Sequence, residues 1–164
     1  MIHPACQSID ELTSDCDFRR TRGSGPGGQH RNKVETAIVV LHRPTGIRAT
    51  ASERRSQQQN KEVAIERLRI QLAIQVRRPA ANPSELWQSR VQSGRVHLSR
   101  HHKDFPAMLA EAMDHIYQSE FQISVAAKQL NCSTSQLVKL IKLEDAAWQR
   151  LNIERQKAGM GPLK

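Results

Sequence analysis

Apolar residues follow a strand-like pattern through the first fifty positions and a helical period through most of the rest. Ser8-Ile9-Asp10-Glu11 has the Ser-x-x-Glu spacing of a capping box and opens a short helix ending near Cys16. Residues 17–22 read as extended. Residues 34–41 contain Val34, Thr36, Ile38, Val39, Val40 and Leu41, a strand composition. His42-Arg43-Pro44-Thr45-Gly46 supplies a turn and residues 47–52 a return strand, which together make a β-hairpin. Ser56-Gln57-Gln58-Gln59 is a second capping box. Behind it Val63, Ala64, Leu68, Leu72 and Val76 recur at helical spacing, giving a helix of about five to six turns whose stripe covers the hairpin.

Pro79 and Pro83 end that helix, and residues 84–102 receive no assignment. Asp104 with Pro106 starts a helix to about Gln118, and a second covers 124–130. Ser133 with Gln136 caps a third through about Leu143. A fourth runs to about Lys157, with Gly159 near its C-cap. The expected fold is α+β: a small sheet with a hairpin covered by a long helix over residues 1–78, a linker over 79–103, and an all-helical segment over 104–164. No internal repeat or low-complexity tract is visible.

At 164 residues the chain holds one modest core or two small subdomains. No apolar run reaches membrane-crossing length, and residues 1–10 lack a basic stretch followed by an apolar one, so no secretion signal is expected. Three cysteines without a Cys-x-x-Cys pair fit a reduced, cytoplasmic protein with free thiols. The net charge of +9 changes the picture more, because of where it lies. Residues 1–103 contain 18 Lys/Arg against 9 Asp/Glu, whereas residues 104–164 contain 7 of each. Residues 18–78 are richer still, 14 against 4. Such a cluster favours a polyanion such as a nucleic acid, the alternative being a solvated basic face.

Between the strand-like segments stands Gly23-Ser24-Gly25-Pro26-Gly27-Gly28. It matches Gly-x-Gly-x-x-Gly, but Phe18-Arg19-Arg20-Thr21-Arg22 is not a buried parallel strand. Gln29-His30-Arg31-Asn32-Lys33 opens no apolar helix, and no acidic residue follows at the dinucleotide spacing. A P-loop fails because Gln29 and His30 stand where Lys and Ser/Thr belong. A plain glycine linker would not need the donors concentrated behind it. A loop that brings backbone N–H groups and an amide side chain to a phosphate-rich partner would.

The string Ser24-Gly25-Pro26-Gly27-Gly28-Gln29-His30-Arg31-Asn32-Lys33, then Pro44-Thr45-Gly46-Ile47, then Glu53-Arg54-Arg55-Ser56-Gln57 with Asn60-Lys61, resembles the catalytic domain of class I peptide chain release factors. It is equally similar to the short ribosome-rescue hydrolases that share that domain. The likeness runs from about Phe18 to Ala73. It implies hydrolysis of the peptidyl-tRNA ester, codon-independent given the short segment before it, with Gly27, Gly28 and Gln29 as the catalytic loop beside the 3′-terminal adenosine in the peptidyl transferase centre. The backbone N–H of Gln29 would stabilise the developing oxyanion, and its side chain would place the water. The expected partners are large-subunit ribosomal RNA and peptidyl-tRNA. Arg22, Ser24, His30, Arg31, Asn32, Lys33, Arg54, Arg55, Gln57 and Lys61 are the expected RNA contacts, Arg31 and Lys33 foremost. No cofactor, metal or membrane is implied, and a monomer is expected.

About 17 residues precede the likeness, so stop-codon reading by the usual elements is not expected, and the C-terminus is no Lys/Arg-rich tail. The alternative is a non-catalytic ribosome- or RNA-binding regulator. Residues 125–141 have helix-turn-helix spacing, which would expose Thr134, Ser135, Gln136, Lys139 and Lys142. A helical hairpin that packs on itself fits the neutral charge better. His97, His101, His102 and His115 lack the ligand pattern of a metal site. Trp87 and Trp148 read as packing residues.

Overall fold

The computed structural model describes residues 2–22, 36–80 and 82–164, and the chain divides into two compact units, Met1–Leu72 and Ala73–Lys164. A turn of 3-10 helix at Pro4–Cys6 is capped by His3, whose Nδ1 accepts the Ala5 N–H at 3.1 Å. Helix α1 (Ile9–Ser14) follows, with its capping box formed in both directions between Ser8 and Glu11. Strands β1 (Cys16–Thr21), β2 (Ala37–His42) and β3 (Arg48–Ala51) make an antiparallel sheet in the order β1-β2-β3.

Register explains which residues are covered. Cys16 pairs with His42, Ile38 with Ala51 and Val40 with Ala49, and all six are buried. Side chains alternate across a strand, so this set shares one face. The β2–β3 turn closes with the His42 N–H donating to Ile47 O at 2.9 Å, and Gly46 sits in it at φ +71°. Arg43 ties the turn to α1: its backbone N–H donates to Asp15 O, its guanidinium to Asp17 Oδ1 at 2.8 Å and to Ser14 O. It thereby satisfies a carbonyl the helix end leaves open.

Helix α2 (Gln57–Gln75) buries Ala64, Leu68 and Leu72 completely, while Val63, and Val76 just past its end, are half-buried. Its burial is wider than the expected stripe, because Ile65, Ile70, Ala73 and Ile74 are also covered. One reason is the N-terminal turn: Arg69 donates from Nε and Nη2 to Ala5 O, and Ala5 is fully buried. Ser56 is a weak cap, its Oγ 3.5 Å from the Gln59 nitrogen.

In the second unit, Arg77 donates to the Ala73 and Ile74 carbonyls at the end of α2 and pairs with the nearly buried Asp114, which also accepts the Arg78 N–H. Within the stretch 79–103, read from sequence as a linker, the structure holds helix α3 (Glu85–Arg90), capped by Ser84, and a small hairpin of β4 (Val91–Gln92) and β5 (Arg95–Val96). Ser93 and Gly94 both have positive φ in its turn. Helices α4 (Phe105–Gln118), α5 (Ile123–Gln129), α6 (Thr134–Lys142) and α7 (Asp145–Lys157) follow. Asp104 precedes α4 but makes no cap bond. Its carboxylate is engaged by Arg90 at 2.6 Å instead. Helix α7 ends in a Schellman pair, Met160 N–H to Arg155 O and Gly159 N–H to Gln156 O, with Gly159 at φ +77°.

The helix-turn-helix spacing forms a packed corner. Ser133 N–H donates to Gly94 O and Val96 N–H to Gln136 Oε1 at 3.1 Å, so the β4–β5 hairpin covers the start of α6. Gln136, which a recognition helix would have exposed, is committed there. Thr134, Ser135, Lys139 and Lys142 are exposed, and Lys142 lies over the half-buried Trp148 ring. Trp87 is 1% exposed and donates its indole N–H to Leu130 O at 2.7 Å, satisfying a carbonyl at the end of α5.

Candidate functional site

Gly27, Gly28, Gln29, Ser24, His30, Arg31, Asn32 and Lys33 lie outside the described residues. The structure does describe the two strands that bracket them. The last rung of the β1–β2 ladder pairs Thr21 with Ala37, and Arg22, exposed, follows directly.

Arg54 and Arg55 sit in the turn between β3 and α2, and that turn is built around Asn60. Asn60 is fully buried, accepts the Arg54 N–H at 2.9 Å, and donates its two amide hydrogens to Arg54 O at 2.9 Å and Thr36 O at 2.7 Å. One side chain thus fixes both the Arg54–Arg55 turn and the entry to β2. The neighbouring Glu53 is withdrawn from the two arginines by Arg67, which grips its carboxylate and also donates to Thr50 O. Burial pushes the Glu53 carboxyl up. The backbone N–H groups of Ser52 and Glu53 and the Arg67 guanidinium outweigh this and hold it below the usual carboxylate range. Arg54 and Arg55 are left exposed.

An open groove of about 550 Å³ lies between β1 and the start of α2, lined by Phe18, Arg19, Arg20, Ile38, Ser56, Gln57, Gln58 and Lys61. Two expected RNA contacts, Gln57 and Lys61, are on its wall. Among the described residues three cations line it and no carboxylate does; Glu62 accepts from the lining Gln58 Nε2 at 3.0 Å. Phe18 is 37% exposed, and the Lys61 ammonium sits 4.6 Å from its ring centroid, a cation–π contact. The sequence reading missed Phe18, Arg19, Arg20 and Ser56. The signal was present in the Phe-Arg-Arg-Thr-Arg run, read only as an extended segment.

Part of the basic surplus counted at the front is structural. Of the six cations in residues 73–103, Arg77, Arg90 and Arg100 are engaged by Asp114, Asp104 and Glu144. The cations of the first unit's groove have no such carboxylate among its lining residues. Burial pushes the Cys16 and Cys132 thiols up to about 11, so both stay protonated at neutral pH. Among the described residues no cluster of three or more His, Cys, Asp or Glu could hold a metal ion. His115 is buried against Gln129 Oε1, and His102 Nδ1 accepts the Asp104 N–H. No described helix is long and apolar enough to cross a membrane.

Comparison with known proteins completes the picture. The family described as RF-1 domain matches residues 6–106, a span that takes in the groove, the Asn60 turn and the glycine-rich segment. Peptide chain release factor 1 of Acidiphilium cryptum (strain JF-5) is 41% identical over 82 residues, covering 49% of this chain and 23% of that protein. Peptide chain release factor PrfB1, chloroplastic, of Arabidopsis thaliana is 47% identical over 66 residues, 40% of this chain and 14% of its own length. Peptide chain release factor 1 of Gluconobacter oxydans (strain 621H) is 42% identical over 73 residues, 43% and 21% respectively. The chain therefore spans less than a quarter of the length of these curated relatives. With more than half of its residues inside the matched span, the chain belongs to the RF-1 domain family.

Proposed function

We propose that this protein hydrolyses the ester of peptidyl-tRNA on the ribosome without reading a codon, releasing peptides from stalled complexes in the cytoplasm. The observation that carries the reading is the run from Ser24 to Lys33, with Gly27-Gly28-Gln29 at its centre, inside the span matched by the RF-1 domain family. Residues 1–78 act as the catalytic domain, 79–103 as a connection and 104–164 as a helical segment. Gln29 supplies a backbone N–H to the developing oxyanion and an amide that orients the attacking water. Gly27 and Gly28 keep that approach free of Cβ atoms. Arg22, Ser24, His30, Arg31, Asn32, Lys33, Arg54, Arg55, Gln57 and Lys61 contact ribosomal RNA. Protonated thiols at Cys16 and Cys132 agree with a reaction in which water, not cysteine, is the nucleophile.

The test is release of labelled peptide from purified ribosome complexes, with and without a stop codon in the decoding site, by wild type and Gln29→Ala. Removal of one oriented donor group lowers a rate by roughly 10²–10³. Release by wild type from complexes lacking a stop codon, and its loss in Gln29→Ala, is the expected result. Equal release by both proteins, or none by wild type on any complex, overturns the catalytic reading in favour of a non-catalytic RNA-binding role. Release only on stop codons overturns codon independence alone.

A further inference from the structure

We propose that the groove between β1 and α2 is a binding site for the sugar–phosphate backbone of single-stranded RNA, with Phe18 as a positioning residue for Lys61. The inference rests on the ribosomal reading above for the choice of RNA, but its physical content is local. Arg19, Arg20 and Lys61 line a concavity of about 550 Å³, and no carboxylate of the described residues lines it. That volume falls within the roughly 300–1,000 Å³ of sites that enclose small ligands. It suits a strand threaded along a cleft rather than a flat duplex face.

Hydrogen-bonding groups accompany the charges. Ser56 brings a hydroxyl, and Gln57 and Gln58 bring amides, to the same wall. Phosphate oxygens are recognised by such mixtures of Arg, Lys, hydroxyl and amide donors. The Lys61 ammonium is not left to wander on its four-carbon stem. The Phe18 ring holds it at 4.6 Å, which lowers the conformational entropy lost when a phosphate arrives. Exposed aromatic surface beside cations is the arrangement of sites that track single strands, whose bases are free to meet a ring, and a duplex offers no such bases.

The experiment measures binding of a fluorescein-labelled eight-nucleotide RNA to the full chain between 50 and 300 mM salt. A matched RNA duplex and a DNA strand of the same sequence serve as further arms. The proteins are wild type, Lys61→Ala, the triple variant R19Q/R20Q/K61A, Phe18→Leu and Arg48→Ala, the last an exposed cation of β3 that does not line the groove. Each phosphate contact on a single strand contributes about 0.7 to the slope of log K against log salt. The triple variant should therefore lose about 2 in slope and at least tenfold in affinity at 100 mM salt. Phe18→Leu should lose about two- to fivefold in affinity while keeping its slope, and Arg48→Ala should match wild type.

A loss in Arg48→Ala as large as that in Lys61→Ala would mean diffuse charge attraction and overturn the site. So would a duplex that binds as tightly as the single strand, a DNA strand that binds more tightly than the RNA, or a triple variant with an unchanged slope. Melting curves that coincide with wild type show that a loss is not unfolding; Lys61→Arg, which keeps the charge, should restore the slope in any case. The readout needs no ribosome. Oligonucleotide binding without peptide release leaves the groove standing and removes the hydrolase reading, and release with unaltered binding by the triple variant does the reverse.

Discussion

Replacing Asn60 tests whether one amide holds the basic turn and the entry to β2 together. Its side chain makes three hydrogen bonds, one accepted from Arg54 N–H and two donated to Arg54 O and Thr36 O. Each is worth about 0.5–1.5 kcal/mol net, so Asn60→Ala should cost roughly 3 kcal/mol. Asn60→Asp keeps the shape and the acceptor but turns both donors into acceptors facing carbonyls, and should cost more at pH 7. Those carbonyls favour the protonated acid, so the folded-state pKa rises above the unfolded value of about 4. The Asp penalty is therefore smallest below pH 4 and grows as pH rises. Both tryptophans lie in the second unit, so fluorescence would report on the other half of the chain. Hydrogen exchange read on β2 and α2 is the suitable assay. Protection factors there should fall by roughly 100-fold in Asn60→Ala, and the Asp variant should recover part of its loss at pH 4 relative to wild type at the same pH. Wild-type protection in the Ala variant, or a pH-independent Asp penalty, would refute the reasoning.

Three further outcomes are expected. His42 is 2% exposed, with Nδ1 2.8 Å from Thr45 Oγ1; burial, with Arg43 adding and Asp15 opposing, holds its pKa below the usual 6.5. The unfolded chain then binds the extra proton. Stability of the first unit should fall as pH drops through 6.5 toward the folded value, and His42→Gln should flatten that dependence in β2 exchange. Asp114→Ala leaves the guanidinium of Arg77 partly buried without its partner, and should cost about 3 kcal/mol in urea unfolding followed by tryptophan fluorescence, with Asp114→Asn retaining part of that. Gly46→Ala should cost about 1 kcal/mol by the same exchange assay. Its φ of +71° disfavours a Cβ although nothing lies within 4 Å of where one would stand, so a neutral result would show that the turn relaxes.

The features legible in the sequence are those written in neighbouring residues. The Ser8–Glu11 box, the Ser133 cap, the turn at Gly46 and the Gly159 stop are local chemistry, and the hairpin and the helices of the second unit lie close to where they were expected. The hairpin at β4–β5 escaped because two-residue strands are too short to show alternation. The Ser84 cap of α3 and the Ser93-Gly94 turn were the available signals. Asp104 was expected to start a helix, and it does stand before α4, yet its carboxylate is held by Arg90, fourteen positions earlier, a partner that no local pattern announces. The groove is the same problem enlarged. Phe18 and Lys61 meet only after β1 has registered on β2 and α2 has been laid across the sheet. Gln57 and Lys61 were expected from the likeness, whereas placing Arg19 and Arg20 on the same groove needed the fold.

Among the described residues β1 is the outer strand of its sheet, with one row of backbone groups facing away from β2. Asp17, Phe18, Arg19 and Arg20 are all exposed along it. Such an edge is a template on which a second copy of the chain could add a strand, and like charges stacked in register oppose that addition. The two arginines proposed to meet RNA should therefore also oppose edge-to-edge pairing in a concentrated solution. Neutralising them should cost solubility as well as affinity, which is why glutamine, not a hydrophobic residue, is the replacement of choice there.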